Sequence, residues 1–320
     1  MQPNLSLSSL IARGLSLSLP LALTVGVAPY AAAQQVTNIA PLGVASQHTT
    51  YDTISEAWRA VDGFTSPTWT YNDANRLSST NGTPGAWWQL DLPRPFEVTE
   101  VVLFNRDPYG ERLSNFRVSL QDANGEVFGQ DYFVGAGNVP NGGTAQLLPP
   151  AGTFATRVRV EFINGVNNQG NGFLTLAEVQ VFSPSIGATY CGPAATNVSG
   201  GPASITAVGA DVLASPAVTA IVAHGLPEQT FGYFLVGAGT GSVTPPGSNG
   251  VLCLGGAIGR YSLLIHNTTR TENMGIIVDR NALPVNPVRA ILPGETWRFQ
   301  AWFRDGASSN FSDAVAVQFH

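Results

Sequence analysis

From Val36 to Phe182 the apolar residues fall in short runs that alternate with polar ones. Trp87-Trp88-Gln89-Leu90-Asp91-Leu92, Val98 to Phe104, Phe116-Arg117-Val118-Ser119-Leu120, Val158-Arg159-Val160-Glu161-Phe162 and Glu178-Val179-Gln180-Val181-Phe182 carry a period of two, which marks strands with one buried face. Between them lie Asp122-Ala123-Asn124-Gly125, Asn141-Gly142-Gly143 and Asn167-Asn168-Gln169-Gly170-Asn171-Gly172, whose Asn, Asp and Gly suit hairpin turns and loops. Ser183-Pro184-Ser185-Ile186-Gly187 then breaks the pattern. A second set of runs follows: Ala203 to Val208, Val218 to Ala223, Phe231 to Val236, Tyr261 to Ile265, Thr296 to Phe303 and Ala314 to Phe319. Many short strands with Gly and Pro turns predict an all-β chain of two sandwiches. The only helical signal is a short turn around Ser55 to Ala60.

Composition sharpens this. Of 320 residues, 35 are Gly and 22 Pro, both costly in helix interiors. The net charge is -6 and there is no lysine, so no basic stripe is available for nucleic acid and none for an anionic membrane surface. Arg13, the apolar stretch Leu15 to Val27 and the run Ala31-Ala32-Ala33 predict an export signal cut after Ala33. An uncleaved anchor is the alternative, but Pro20 interrupts the stretch and no second candidate span follows. The expected location is therefore outside the cell or on its surface. In that oxidising setting Cys191 and Cys253 are predicted to pair, closing a loop of about 60 residues and contributing about 4 kcal/mol; two buried thiols are the alternative. The expected layout is a signal at 1–33, a first domain at 36–183, a linker at 184–190 and a second domain at 191–320.

Asn38-Ile39-Ala40, Ala60-Val61-Asp62-Gly63, the Trp87 to Leu92 run, Asn105-Arg106-Asp107, Glu111-Arg112-Leu113-Ser114-Asn115-Phe116 and Leu176-Ala177-Glu178-Val179 together resemble the discoidin, or coagulation-factor 5/8 C-type, domain family in its carbohydrate-binding, fucolectin-like branch. The resemblance implies a galactose-binding-like jelly roll in the first domain. It also implies calcium, held by Asp62 and Glu178 with backbone carbonyls at Arg59, Phe64 and Ala177. Calcium wants six to eight oxygens, and a plain turn aspartate beside a strand glutamate is the alternative. Fucolectin-like proteins bind sugar with two arginines and a histidine. The arginines match Arg106 and Arg112, although their spacing is one residue shorter and Arg76 to Thr80, where the histidine is expected, contains none.

The segment Asn105 to Arg112 follows a strand and carries Pro108 and Gly110, so it reads as an exposed loop on a rigid scaffold, where binding groups collect. A guanidinium offers five donors to hydroxyls, and a nearby carboxylate such as Asp107 orients it. Glu111 and Arg112 could instead form a structural ion pair. Tyr109 and Tyr71 are candidate platforms for a sugar face, with Asn72, Asp73 and the Asn167 to Asn171 amides at the rim; Trp69 is expected to be buried. In the second domain, Gly232-Tyr233-Phe234-Leu235-Val236-Gly237 and Gln300-Ala301-Trp302-Phe303-Arg304-Asp305 resemble a β-sandwich module of secreted bacterial proteins. Its crowded Trp297, Phe299, Trp302 and Phe303 predict a packed core.

Catalytic signatures such as Gly-x-Ser-x-Gly or His-Glu-x-x-His are missing, and His48, His224 and His266 are dispersed. The expectation is a secreted, non-enzymatic protein that binds glycan or polysaccharide. Cell-surface adhesion or a structural role, with lipid as a possible target, is the alternative.

Overall fold

The alternating runs form antiparallel strands, and their register gathers each buried face into a layer. The computed structural model describes residues 35–68, 77–133, 139–166, 168–268 and 272–320. The expected signal segment and Trp69, Tyr71, Asn72 and Asp73 lie outside these. In the first sandwich, Trp87–Glu97 runs between Val44–Gln47 and Phe154–Phe162, and Phe116–Asp122 and Gly125–Tyr132 complete a five-stranded sheet. Trp88 and Val118 both lie opposite Val160, and Leu90 and Leu120 both lie opposite Val158. The facing sheet pairs Glu178–Ile186 with Glu100–Phe104 and Val36–Asn38, with Thr144–Leu147 beyond. Val179 and Val181 from this sheet meet Trp88, Leu90 and Phe116 in one core.

The adjacent tryptophans point to opposite faces, as strand geometry requires. Trp88 is fully buried and its Nε1 donates to the Ala57 carbonyl at 2.9 Å. Trp87 is half-buried, with the Arg159 guanidinium 4.5 Å from its ring centre. The predicted helical turn is the 3₁₀ helix Ala57–Val61.

Residues 184–190, expected as a linker, are extended and paired. Pro184 lies opposite Val36, and Ser185 and Ile186 lie opposite Val208 and Ala207 of the second half. After Gly187 the chain re-enters a strand, Ala188–Tyr190, opposite Ala316 to Ala314. Gly187 has φ +74°, and a Cβ there would sit 2.3 Å from the Ala316 carbonyl oxygen, so the switch between strands requires glycine. The strand Glu178–Ile186 thus serves both sandwiches, and residues Gln34–His320 form one compact unit.

In the second half, Ser204–Gly209, Thr219–His224 and Met274–Val278 extend that sheet. Facing them are Ala188–Tyr190, Ser308–Gln318, Thr296–Asp305, Phe231–Val243 and Leu252–Arg260. Ile205, Ile221, Phe234, Trp297, Phe299 and Phe303 fill the space between. Trp302 points the other way and packs against Tyr233, ring centres 4.8 Å apart. Cys191 and Cys253 form a disulfide with a Cα separation of 6.4 Å. The predicted strand Tyr261 to Ile265 is instead a turn: Leu264 N donates to the Tyr261 carbonyl, and Leu263 is 97% exposed. Its apolar run imitates a strand because Tyr261 alone turns into the core. Among the described residues no helix is long and apolar enough to cross a membrane.

Trp88→Ala should lower stability by about 3–5 kcal/mol in chemical denaturation, since it opens a core cavity. Trp87→Ala should cost about 1 kcal/mol, mainly the contact with Arg159; equal losses would contradict the assignment of faces.

Candidate functional site

The loop that follows Glu100–Phe104 is held by one buried amide. Asn105 Nδ2 donates to the carbonyls of Gly110, Val139 and Pro140 at 3.0–3.1 Å, and Oδ1 accepts from Arg106 N at 2.9 Å. Asn141 Oδ1 accepts from Gly110 N at 2.6 Å, and a Cβ on Gly110 would meet that same oxygen at 2.5 Å. Tyr109 sits in the left-handed region at φ 71° and leads into the 3₁₀ turn Gly110–Arg112. The loop is therefore specified by its own polar side chains rather than by apolar packing.

This arrangement brings Arg106 and Arg112 to either side of Tyr109, with guanidinium carbons 5.3 and 5.5 Å from its ring centre. Arg112 also lies 4.5 Å from the Phe173 ring. Both arginines line a pocket of 230 Å³ together with Tyr51, Asp52, Ser55, Leu77, Ser79, Tyr109 and Thr175. Arg106 was expected to project into solvent. It is instead only 4% exposed, its Nε donating to the Pro108 carbonyl at 2.6 Å. Burial, and then the charge of Arg112, pull its pKa down to about 10 against the opposing influence of Glu111 and Tyr109. It remains a cation at neutral pH.

Asp107, expected to orient the arginine, is exposed and does not line the pocket. Its backbone N–H donates to the Pro67 carbonyl at 2.7 Å. Glu111 is exposed and makes no ion pair with Arg112. Tyr109 is at the pocket mouth, 51% exposed. Asn168 braces the loop from behind: its Nδ2 donates to the Arg112 and Ser114 carbonyls, and its Oδ1 accepts from Gly170 N and Gly172 N. Tyr71, Asn72 and Asp73 lie outside the described residues. The half of the pocket supplied by Tyr51, Asp52, Ser55, Ser79 and Thr175 escaped the sequence reading. Its one visible signal was the polar turn Tyr51-Asp52, which resembles many others in the chain. His224 is tied by Nδ1 to Asn273 Oδ1 at 2.9 Å, and burial pulls its pKa down.

A second polar centre lies where Asp62 and Glu178 meet. Both are 1% exposed. Glu178 Oε1 accepts from Gly63 N at 3.2 Å and Asp62 Oδ1 accepts from Phe64 N at 3.0 Å. Glu178 Oε2 is buried without a hydrogen-bond partner. Burial first, and the neighbouring Asp62 charge second, push the Glu178 carboxyl well above the usual range. Of the residues expected to add carbonyls, Arg59 lies in the 3₁₀ helix, Phe64 follows the turn and Ala177 precedes Glu178 with its N–H on the Phe104 carbonyl. Among the described residues no group of three or more His, Cys, Asp and Glu comes together, so any hard-cation site here draws on two carboxylates and backbone oxygens.

Two antiparallel sheets with a loop-built, arginine-lined pocket at one end define a galactose-binding-like, lectin-type domain. Residues 59–160 match the model of the F5/8 type C family described as NedA-like, galactose-binding domain. Fucolectin-6 of Anguilla japonica is 31% identical over 93 residues, which cover 28% of this chain and 48% of that protein; the chain spans about half the length of this curated relative. The lectin domain of Lectinolysin complexed with Lewis B antigen is 33% identical, over 46% of this chain and 96% of that one, with a TM-score of 0.38. A Streptococcus pneumoniae fucose binding module is 29% identical over 46% of this chain and 95% of its own, with a TM-score of 0.39.

With chelator present, the Glu178 carboxyl should contribute a fall in melting temperature as pH rises, opposed at the acid end by His224 and His266, which burial keeps neutral. A carboxyl whose folded pKa is raised contributes stability below its unfolded value and loses it as pH climbs through the folded one. Asp313, pushed up to about 6 by burial, adds to that fall. Glu178→Gln should remove the Glu178 contribution, so that the melting temperature of the variant falls less with rising pH than that of the wild type; identical pH profiles would contradict the assignment.

Proposed function

We propose that this chain is a secreted or cell-surface bacterial lectin that binds glycan through the Arg106–Arg112 pocket. The observation that carries this reading is the meeting, in one small concavity, of two guanidinium groups, two half-exposed tyrosines, three hydroxyls and the Asp52 carboxylate. A sugar ring presents adjacent hydroxyls that donate and accept, together with C–H faces. Guanidinium donors answer the oxygen lone pairs, Asp52 accepts hydroxyl protons, and Tyr51 or Tyr109 takes the apolar face. The enclosed volume suits one ring, with any further glycan leaving through the tyrosine-lined mouth. The fucose and Lewis-type ligands of the similar lectins support this ligand class, and Asp52 stands as acceptor in a pocket whose described lining has no histidine. The disulfide Cys191–Cys253 supports export to an oxidising compartment.

Asp62 and Glu178 fit a calcium ion. Two buried carboxylates repel, and the unmet Glu178 Oε2 is a hard oxygen with no partner. A bound cation would supply the missing positive charge, and backbone carbonyls of Arg59, Phe64 and Ala177 would complete its oxygen shell. The role is structural: it would fix the Asp62 turn against the strand Glu178–Ile186.

On a glycan array, Arg106→Ala and Arg112→Ala should each weaken binding by about tenfold or more, since hydrogen bonds to charged groups contribute about 1.5–3 kcal/mol. Asp107→Ala should stay within about twofold. Unchanged binding in both arginine variants would remove the pocket from the account.

A further inference from the structure

The two sandwiches share the strand Glu178–Ile186 only at its end. Ser185 and Ile186 pair with Val208 and Ala207, and beyond that point Val36–Asn38 replaces Ser204–Gly209 as partner. A cleft of 420 Å³ lies beside this junction, lined from the first half by Asn38, Gln180 and Phe182 and from the second by Ser204, Thr206 and Glu272. Each wall follows from the period of two. On one side Val179 and Val181 enter the core, so Gln180 and Phe182 face outward; on the other Ile205 and Ala207 enter theirs, so Ser204 and Thr206 face outward. All four line the cleft, and His224 and Asn273 close it.

These walls carry hydrogen-bonding capacity that the protein does not use. Among the described residues, the Gln180 amide and the Ser204 hydroxyl make no side-chain hydrogen bond, and Thr206 Oγ1 is buried without a partner. No arginine is found among the described lining residues, and the chain has no lysine. The described lining does carry the Glu272 carboxylate, which repels an anionic ligand. A purely apolar ligand would bury the amide and hydroxyls unpaired. A neutral, hydroxyl-rich molecule satisfies both limits: its hydroxyls pair with Gln180, Ser204 and the Glu272 carboxylate while the Phe182 ring packs against C–H groups. Clefts at domain junctions are common ligand sites.

We propose that the cleft between the two sandwiches is a second saccharide site, built by Gln180, Phe182, Ser204 and Thr206, that engages a neutral polysaccharide independently of the arginine pocket. The chain is then bivalent, one sandwich reading a terminal sugar while the junction grips a polymer, and avidity follows from the covalent link between the sites.

Native gels of the full chain, cast with a soluble galactan, xyloglucan or arabinoxylan, test this. The double variant Arg106→Ala/Arg112→Ala should still be retarded by at least one of the three polymers. Adding Gln180→Ala and Ser204→Ala should reduce that retardation by about tenfold in apparent affinity, with an unchanged unfolding midpoint because both side chains are outside the cores. Ser204→Trp, which fills the cleft, should do the same. An arginine variant that runs as in a blank gel with all three polymers would overturn the proposal, as would cleft variants that keep full retardation. Retardation lost only through the cleft variants, with the arginine variant matching wild type on both gel and array, would instead sink the arginine-pocket reading and leave this one standing.

Discussion

Two guanidinium groups held in one small pocket are the constraint on which the first domain turns. Burial and mutual repulsion both disfavour the charge on Arg106, which lowers its pKa to about 10. The arrangement persists because the loop cannot relax: Asn105 spends its whole amide on backbone groups at both ends of it, Gly110 leaves room for Asn141, and Asn168 closes the rear. The folding free energy that holds the loop is set by the scaffold, so a ligand of the proposed pocket would meet the arginines already in place, which lowers the entropy cost of binding.

The same logic runs through the strand Glu178–Ile186. Its first residue carries the carboxylate that meets Asp62, its middle lies in the first core through Val179 and Val181, its outward residues line the junction cleft, and its end pairs with the second sandwich. Glu272 N donates to the Asp62 carbonyl, so the acidic turn also touches the second half. Charge at Asp62 and Glu178 and the geometry of the cleft therefore depend on one element.

What the sequence made legible is what period and turn chemistry control. Alternation located both sandwiches and separated Trp87 from Trp88, and Asn and Gly marked the loops. It also pointed to Arg106 and Arg112, because a polar, Pro- and Gly-bearing segment directly after a strand is where loops project. What stayed hidden depends on contacts between distant positions. Tyr51 and Thr175 reach the arginines only through the closed sandwich. Arg106 is buried by neighbours that no local pattern announces, and Asp107, next to it in the chain, is exposed outside the pocket. At the break at 183–187 the chain changes sheet partner yet stays extended, because pairing with Val208 and Ala207 outweighs the turn-forming residues. The run Tyr261 to Ile265 imitated a strand, since local apolar content carries no record of which residues find a core.

Under the proposed function, sugar enters between Arg106 and Arg112. A titration of the isotope-labelled full chain with L-fucose, followed through arginine Nε–Hε and backbone amide resonances, tests it most directly. The account predicts saturable shifts of Arg106 and Arg112 side chains and of the Tyr51, Asp52, Ser79 and Thr175 amides. Saturable shifts that leave all of these unmoved and cluster elsewhere on the chain would contradict it.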